Sequence, residues 1–260
     1  MQVKAKKQLG QHFLTDLSIA QRIVGAMDNL TCRDVVEIGP GMGVLTQYLL
    51  PRTDIDLQLI EIDHESVEYL QQELHVDPKI IVEGDFLRIN LAELCGGRPF
   101  TVIGNFPYNI SSQIFFHILD YKDLVPCVVC MLQREVAQRL ASPPGNKDYG
   151  ILSVFLQAYY DIEYLFTVNE GVFSPPPKVK SGVIRLRRNG VQHLDCDEKL
   201  FRQIVKATFN QRRKTIRNSI RAVAFKHEAL AGHPYMALRP EQLSVAQFVE
   251  LTKLVEANRG

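Results

Sequence analysis

From residue 33 onward, short apolar runs alternate with amphipathic stretches along the chain. Val35–Ile38, Leu57–Ile60, Lys79–Val82, Phe100–Ile103 and Cys127–Leu132 read as strands. Val44–Leu50, His64–Leu74 and Ser111–Leu119 read as helices between them. Nearly continuous apolar runs are those of strands buried on both faces. Strands joined by helices need right-handed crossovers, so the pattern predicts a mostly parallel, doubly wound sheet covered on both sides. After a helix over Gly150–Ala158 come two more strand-like runs, Tyr160–Val168 and Val179–Leu186. The short turn region between them predicts an antiparallel hairpin at one sheet edge.

Arg187–Asp195 is polar and contains the turn signal Asn189-Gly190, which marks a linker. Beyond it Glu198–Phe209, Lys214–Phe225 and Val245–Ala257 carry helical periodicity, the last behind Ser244 as N-cap. The expected fold class is α/β: a Rossmann-like doubly wound sheet with an antiparallel edge over residues 1–188, then a small all-helical domain over 189–260.

Composition changes this picture little. Hydrophobic residues make up 46% of the 260 and charged ones 23%, a globular balance that argues against disorder. No run approaches the roughly 18 apolar residues of a membrane span, and the basic start leads into no apolar signal core. Of the five cysteines, Cys127 and Cys130 are three apart on a predicted strand, so their side chains leave opposite faces. That suits buried, inert thiols in a reducing cytoplasm better than a metal site, and no metal is expected. No apolar stripe beyond the core calls for a partner, so a monomer is expected. Charge adds more. Residues 1–180 hold 15 Lys and Arg against 22 Asp and Glu, whereas residues 181–260 hold 15 against 7. A basic C-terminal part on an acidic body points to a polyanionic partner.

The candidate chemistry sits at predicted strand ends. Glu37–Gly43 closes the first strand and opens the first helix. Gly39, Gly41 and Gly43 let the backbone turn tightly against a ligand. The second strand ends in Glu61-Ile62-Asp63, where a carboxylate can accept from both ribose hydroxyls. The third ends at Asp85-Phe86: the acid can accept from an adenine amino group while the ring packs beside the base. Polar groups at successive strand ends favour S-adenosylmethionine over a nicotinamide dinucleotide, chiefly because of the segment after the fourth strand. There stands Asn105-Phe106-Pro107-Tyr108. An exocyclic adenine amine is a poor nucleophile, its lone pair being delocalised into the ring. The Asn105 side-chain oxygen and the Phe106 carbonyl, its direction constrained by Pro107, can hold the amine hydrogens and draw the lone pair out. Tyr108 offers a stacking face. A base inside a duplex could not reach such a pocket, so the target is single-stranded or extruded.

Taken together, these blocks resemble the KsgA family of small-subunit ribosomal RNA adenine dimethyltransferases over nearly the whole chain. Gly10–Leu14, Glu37–Gly43, Glu61, Gly84-Asp85, Asn105–Asn109, Val172–Val179 and Phe209–Asn218 stand in the family's order. The resemblance implies that Gln11, His12, Leu14, Gly39, Glu61, Asp85 and Asn105 line an S-adenosylmethionine site. It implies that Tyr108 and Phe173 sandwich the target base. It also implies that two adjacent adenosines in a hairpin loop near the 3′ end of 16S RNA are dimethylated on an assembling small ribosomal subunit. His12 stands where many members have asparagine, and Phe106 where many have leucine. The basic segment Arg212, Arg213, Lys214, Arg217 and Arg221 is read as a phosphate contact, with Arg213, Arg217 and Arg221 on one helix face. Two other readings stay open: a large-subunit RNA adenine methyltransferase of the antibiotic-resistance type, and an RNA-binding assembly factor whose catalysis is dispensable.

Overall fold

A computed structural model describes residues 3–27 and 30–259 of the chain. In chain order its strands and helices are β1 (Phe13–Leu14), α1 (Leu17–Gly25), β2 (Asp34–Ile38), α2 (Thr46–Leu49), β3 (Asp56–Glu61), α3 (His64–Gln72), β4 (Ile81–Glu83) and β5 (Phe100–Asn105). Next come α4 (Ser111–Asp120), β6 (Cys127–Gln133), α5 (Arg134–Ala141), α6 (Ile151–Gln157), β7 (Tyr160–Val168), β8 (Phe173–Ser174) and β9 (Ser181–Arg188). The last elements are α7 (Glu198–Asn210), α8 (Ile216–Ser219) and α9 (Val245–Ala257).

Seven strands form one sheet in the order β4-β3-β2-β5-β6-β9-β7. The pairs from β4 to β6 are parallel, and β6 pairs with β9 antiparallel. Every residue of β2 is buried, as are the first six of β6, which is why those runs read as continuously apolar. From β2 the chain winds outward through β3 and β4, then returns to place β5 on the other side of β2. Ligands of open α/β sheets sit where winding reverses, outside the carboxyl ends of the strands. Here that point lies between β2 and β5. The backbones approach so closely there that a Cβ on Gly104 would stand 2.5 Å from the Ile38 carbonyl oxygen.

Several local expectations are corrected. Residues 17–25, given no element by the sequence pattern, form α1: Asp16 caps it by accepting from the Ser18 and Ile19 amides, and Ala20, Ile23 and Val24 are its buried face. The strand expected over Lys79–Val82 starts only at Ile81, because Pro78–Ile80 make a 3-10 turn capped by Asp77. The helix expected over Lys214–Phe225 shrinks to α8 plus one 3-10 turn, Ile220–Ala222. Extended backbone at Thr215 and Val223 bounds it, and the Ile216 amide donates to the Leu238 carbonyl at 2.7 Å. Arg213, Arg217 and Arg221 therefore share no common helix face. A two-residue ribbon, unforeseen in the sequence, pairs β1 with β8: Phe13 faces Ser174 and Leu14 faces Phe173.

The chain groups into two compact units, residues 1–137 with 161–188, and 138–160 with 189–260. By packing, residues 138–160 group with the segment from residue 189 onward, where the sequence expectation placed a second domain. Its core is aromatic and aliphatic: Phe155 and Phe201 lie 6.2 Å apart, and Phe209 and Phe248 6.0 Å. Asp197 caps α7, and Ser244 caps α9 as expected, accepting from the Gln247 amide.

Candidate active site

At the carboxyl edge of β2, β3, β4 and β5 a cavity of about 340 Å³ opens, within the size range of small-molecule sites. Its first wall is the glycine loop. Gly41 has φ +55°, and its amide donates to Glu61 Oε2 at 2.9 Å, while the Asp63 amide donates to Glu61 Oε1 at 2.9 Å. A Cβ on Gly41 would come 2.9 Å from the Phe13 ring, so this turn needs glycine. Burial pushes the Glu61 carboxyl up from its ordinary range, and the two amides oppose that shift. Each oxygen keeps a further lone pair, so the carboxylate is oriented and still able to accept from hydroxyls.

Glu37, one pairing row from Gly104, is the acid that sequence reading assigned no role. It is 1% exposed, and Thr46 donates to its Oε2 at 2.7 Å. Burial pushes its carboxyl up to about 8; the Thr46 bond works against the shift and the nearby Glu61 adds to it. The available signal was the acid itself, alone in an otherwise apolar run.

A second wall is the segment before β1. Gln11 donates to Asp63 Oδ2 at 3.1 Å, Ser66 donates to the same oxygen at 3.0 Å, and the Lys6 ammonium reaches Oδ1. Asp63 is 2% exposed; burial would raise its carboxyl, yet Lys6, Gln11 and Ser66 together hold it below the ordinary range. Gln11 thus anchors its own segment beside β3, through Asp63. Ile62 lines the cavity and stays half exposed. Asp85 accepts from the Leu87 amide at 3.0 Å, and Phe86 is buried behind it.

The third wall is the segment after β5. Asn105 Nδ2 donates to the His12 carbonyl at 3.0 Å, which assigns the other end of that amide, Oδ1, as an acceptor. The Phe106 amide donates to the Met131 carbonyl at 2.9 Å, and its ring, 1% exposed, meets Phe115 edge-on at 5.7 Å. The turn from Phe106 into Tyr108 is therefore fixed from the core side. The Tyr108 hydroxyl lies 2.5 Å from Ser181 Oγ, and its ring stacks on His12 with centroids 5.3 Å apart. Burial pushes the Tyr108 phenol up, against the Ser181 bond, so the ring stays uncharged at neutral pH.

Gln11, His12, Leu14, Gly39, Gly41, Glu61, Ile62, Asp85, Phe86, Asn105, Phe106, Pro107 and Tyr108 all line this one cavity. Phe173 does not. It is 4% exposed and packs in the core with Leu14, its partner across the β1/β8 ribbon, and the ring that stacks on Tyr108 is that of His12. The basic residues lie on the other unit. Arg213, Lys214, Arg217 and Arg221 are exposed; Arg217 donates to the Ala231 carbonyl at 2.7 Å, and Arg212 to that of Lys147.

Charge shows what the cavity suits. Among the described residues its wall contains Glu37, Glu61 and Asp85 and no Lys or Arg. A diphosphate would meet the Glu61 and Asp85 carboxyls there, and a largely protonated Glu37, with no cation. A nucleoside carrying a positive sulfonium and an ammonium meets opposite charge and ribose and adenine acceptors, so these residues fit S-adenosylmethionine. Among the described residues no group of three His, Cys, Asp or Glu could hold a metal ion, and no helix is long and apolar enough to cross a membrane.

The model of the family described as ribosomal RNA adenine dimethylase matches residues 2–256. A protein of Phocaeicola vulgatus named ribosomal RNA small subunit methyltransferase A is 56% identical over 98% of this chain and 91% of its own length. A dimethyladenosine transferase from Plasmodium falciparum superposes with a TM-score of 0.78 over 92% of this chain and 96% of that one, at 24% identity. The 23S rRNA methyltransferase ErmE superposes with a TM-score of 0.68 over 93% of this chain and 99% of that one, at 27% identity. On its sequence match and its fold, this chain belongs to the ribosomal RNA adenine dimethylase family.

Proposed function

We infer that the chain transfers methyl groups from S-adenosylmethionine to the N6 amines of two adjacent adenosines in a 3′-terminal hairpin loop of small-subunit ribosomal RNA. The observation that carries this reading is Asn105: its amide is turned by the bond to His12 so that an acceptor remains, beside Tyr108, on the wall of a carboxylate-lined cavity without cations. S-adenosylmethionine supplies, when bound, an activated methyl group on a cationic sulfur. The chain's own residues do the positioning. Asn105 Oδ1 accepts one N6 hydrogen and the Phe106 carbonyl the other, which localises the nitrogen lone pair. Tyr108 stacks on the base, a contact worth about 1–3 kcal/mol. After one methyl is added a single N–H remains, so one acceptor continues to hold the amine while the pocket admits the methyl. Glu61 takes the ribose and Asp85 the adenine amine. No strong general base is needed, and alignment provides most of the catalysis.

The target assignment draws support from the relatives' names. The 56% identical relative is named for the small subunit, whereas the large-subunit enzyme ErmE is 27% identical. Arg213, Lys214 and Arg221, exposed on the basic unit, supply phosphate contacts. Asn105→Ala is expected to lower methyl transfer by about 10²–10³-fold, the usual cost of removing one aligned polar group. RNA affinity, measured by filter binding, should stay within about threefold, because phosphate contacts dominate it. Undiminished turnover in Asn105→Ala would reject the amine-activating site.

A further inference from the structure

The turn that carries Asp85 and Phe86 hangs from a short strand at the edge of the sheet. β4 is three residues long, stands at the sheet edge and pairs only with β3, and Phe86–Arg88 leave it as a single 3-10 turn. One helix grips this turn from outside the cavity. His117 of α4 donates from Nε2 to the Ile89 carbonyl at 3.0 Å. The same ring meets Phe86 edge-on, centroids 5.2 Å apart at 86°, and Tyr121 at 5.3 Å and 70°. The Tyr121 hydroxyl in turn donates to Asn90 Oδ1 at 3.2 Å. His117 is half buried and is not part of the cavity wall. At its other end α4 begins directly behind the reaction segment, where Ser111 Oγ donates to the Tyr108 carbonyl at 3.4 Å. A single rigid helix therefore spans from Tyr108 to the Asp85–Phe86 turn.

We propose that His117 is a positioning residue for cofactor recognition, holding the turn so that Asp85 and Phe86 meet the adenine ring in fixed register. This rests on the reading that the adenine lies at Asp85 and Phe86. A buried edge-to-face ring contact and a hydrogen bond to a carbonyl constrain both the height and the tilt of the Phe86 plane. Because His117 touches the turn and not the ligand, its loss should blur recognition of the base and leave the ribose and methionine ends of the site unchanged.

The test is calorimetric binding of two probes, S-adenosylhomocysteine and S-inosylhomocysteine, to the full chain. The second presents a 6-oxo group and an N1–H where the first presents an amine and an unprotonated N1, so the pattern offered to Asp85 is reversed. The parent should prefer the adenosyl probe, and His117→Ala should weaken that probe by about tenfold while scarcely moving the inosyl one. His117→Gln, whose amide can still donate to the Ile89 carbonyl, should restore most of the preference. Tyr121→Phe, a smaller change that removes only the Asn90 bond, should reduce the preference less, and it serves if His117→Ala does not fold. Equal weakening of both probes, or no weakening of either, would overturn the positioning role. A parent that binds both probes alike would instead remove the adenine assignment itself, and the proposal with it.

Discussion

Asn105 and Glu37 sit on neighbouring strands and have opposite relations to water. Asn105 is half exposed on the cavity wall, its amide direction set by the His12 carbonyl. Glu37 is almost fully buried, with its carboxyl pushed up to about 8 chiefly by burial. Its folded value lies above the unfolded one of 4.5, so the folded state binds the proton more readily. The stability this group contributes is complete below pH 4.5 and is lost as pH rises to about 8. Glu37→Gln keeps an acceptor for Thr46 and removes the titration. Thermal unfolding of the variant should therefore lose a falling component of at most about 1.4 kcal/mol per pH unit across that window. Identical pH slopes for the two proteins would contradict the assignment. Gly39, Gly41, Glu61, Ile62, Asp85, Phe86 and Asn105 were legible because each stands at or just after a strand end, where local pattern places it, whereas Gln11, His12 and Leu14 came only from the family resemblance. The place of Phe173 was not legible. Its side chain points into the core because Leu14, 159 positions earlier, pairs with it, and nothing in the local run Val172–Val179 announces that partner.

Among the elements, the strands were read most faithfully, since β2, β5 and β6 are apolar on both faces and need no partner to be recognised. Short helices were read poorly. α1 is nine residues long, and α8 is four where twelve were expected, because the Leu238 carbonyl and extended residues at both ends decide its length. That correction matters for nucleic-acid binding. Arg213 lies in the turn before α8, Arg217 within it and Arg221 in the following 3-10 turn, so the cations fan out along a bent path. Arg217 is held by the Ala231 carbonyl and Arg212 by that of Lys147, which makes Arg213, Lys214 and Arg221 the better candidates for the proposed phosphate contacts. Changing those three to Gln should lower the slope of log affinity against log salt by about two to three, since each lost phosphate contact removes just under one. A slope equal to that of the parent would exclude this segment from the RNA contact.

Taken whole, the chain is divided by charge as well as by packing. Residues 1–180 are net acidic and residues 181–260 net basic, and the carboxylates of the first stretch include those that line the cavity. A cavity with no Lys or Arg among the described residues suits a sulfonium nucleoside, and a basic helical unit suits a polyanion; both fit the family match to ribosomal RNA adenine dimethylases. The most direct test is nucleoside mass spectrometry of small-subunit RNA from cells that lack this protein, then supplied with the parent chain or with Asn105→Ala. Two neighbouring N6,N6-dimethyladenosines near the 3′ end should return with the parent and stay absent with the variant. Full dimethylation at both positions without the protein, or with Asn105→Ala, would contradict the account.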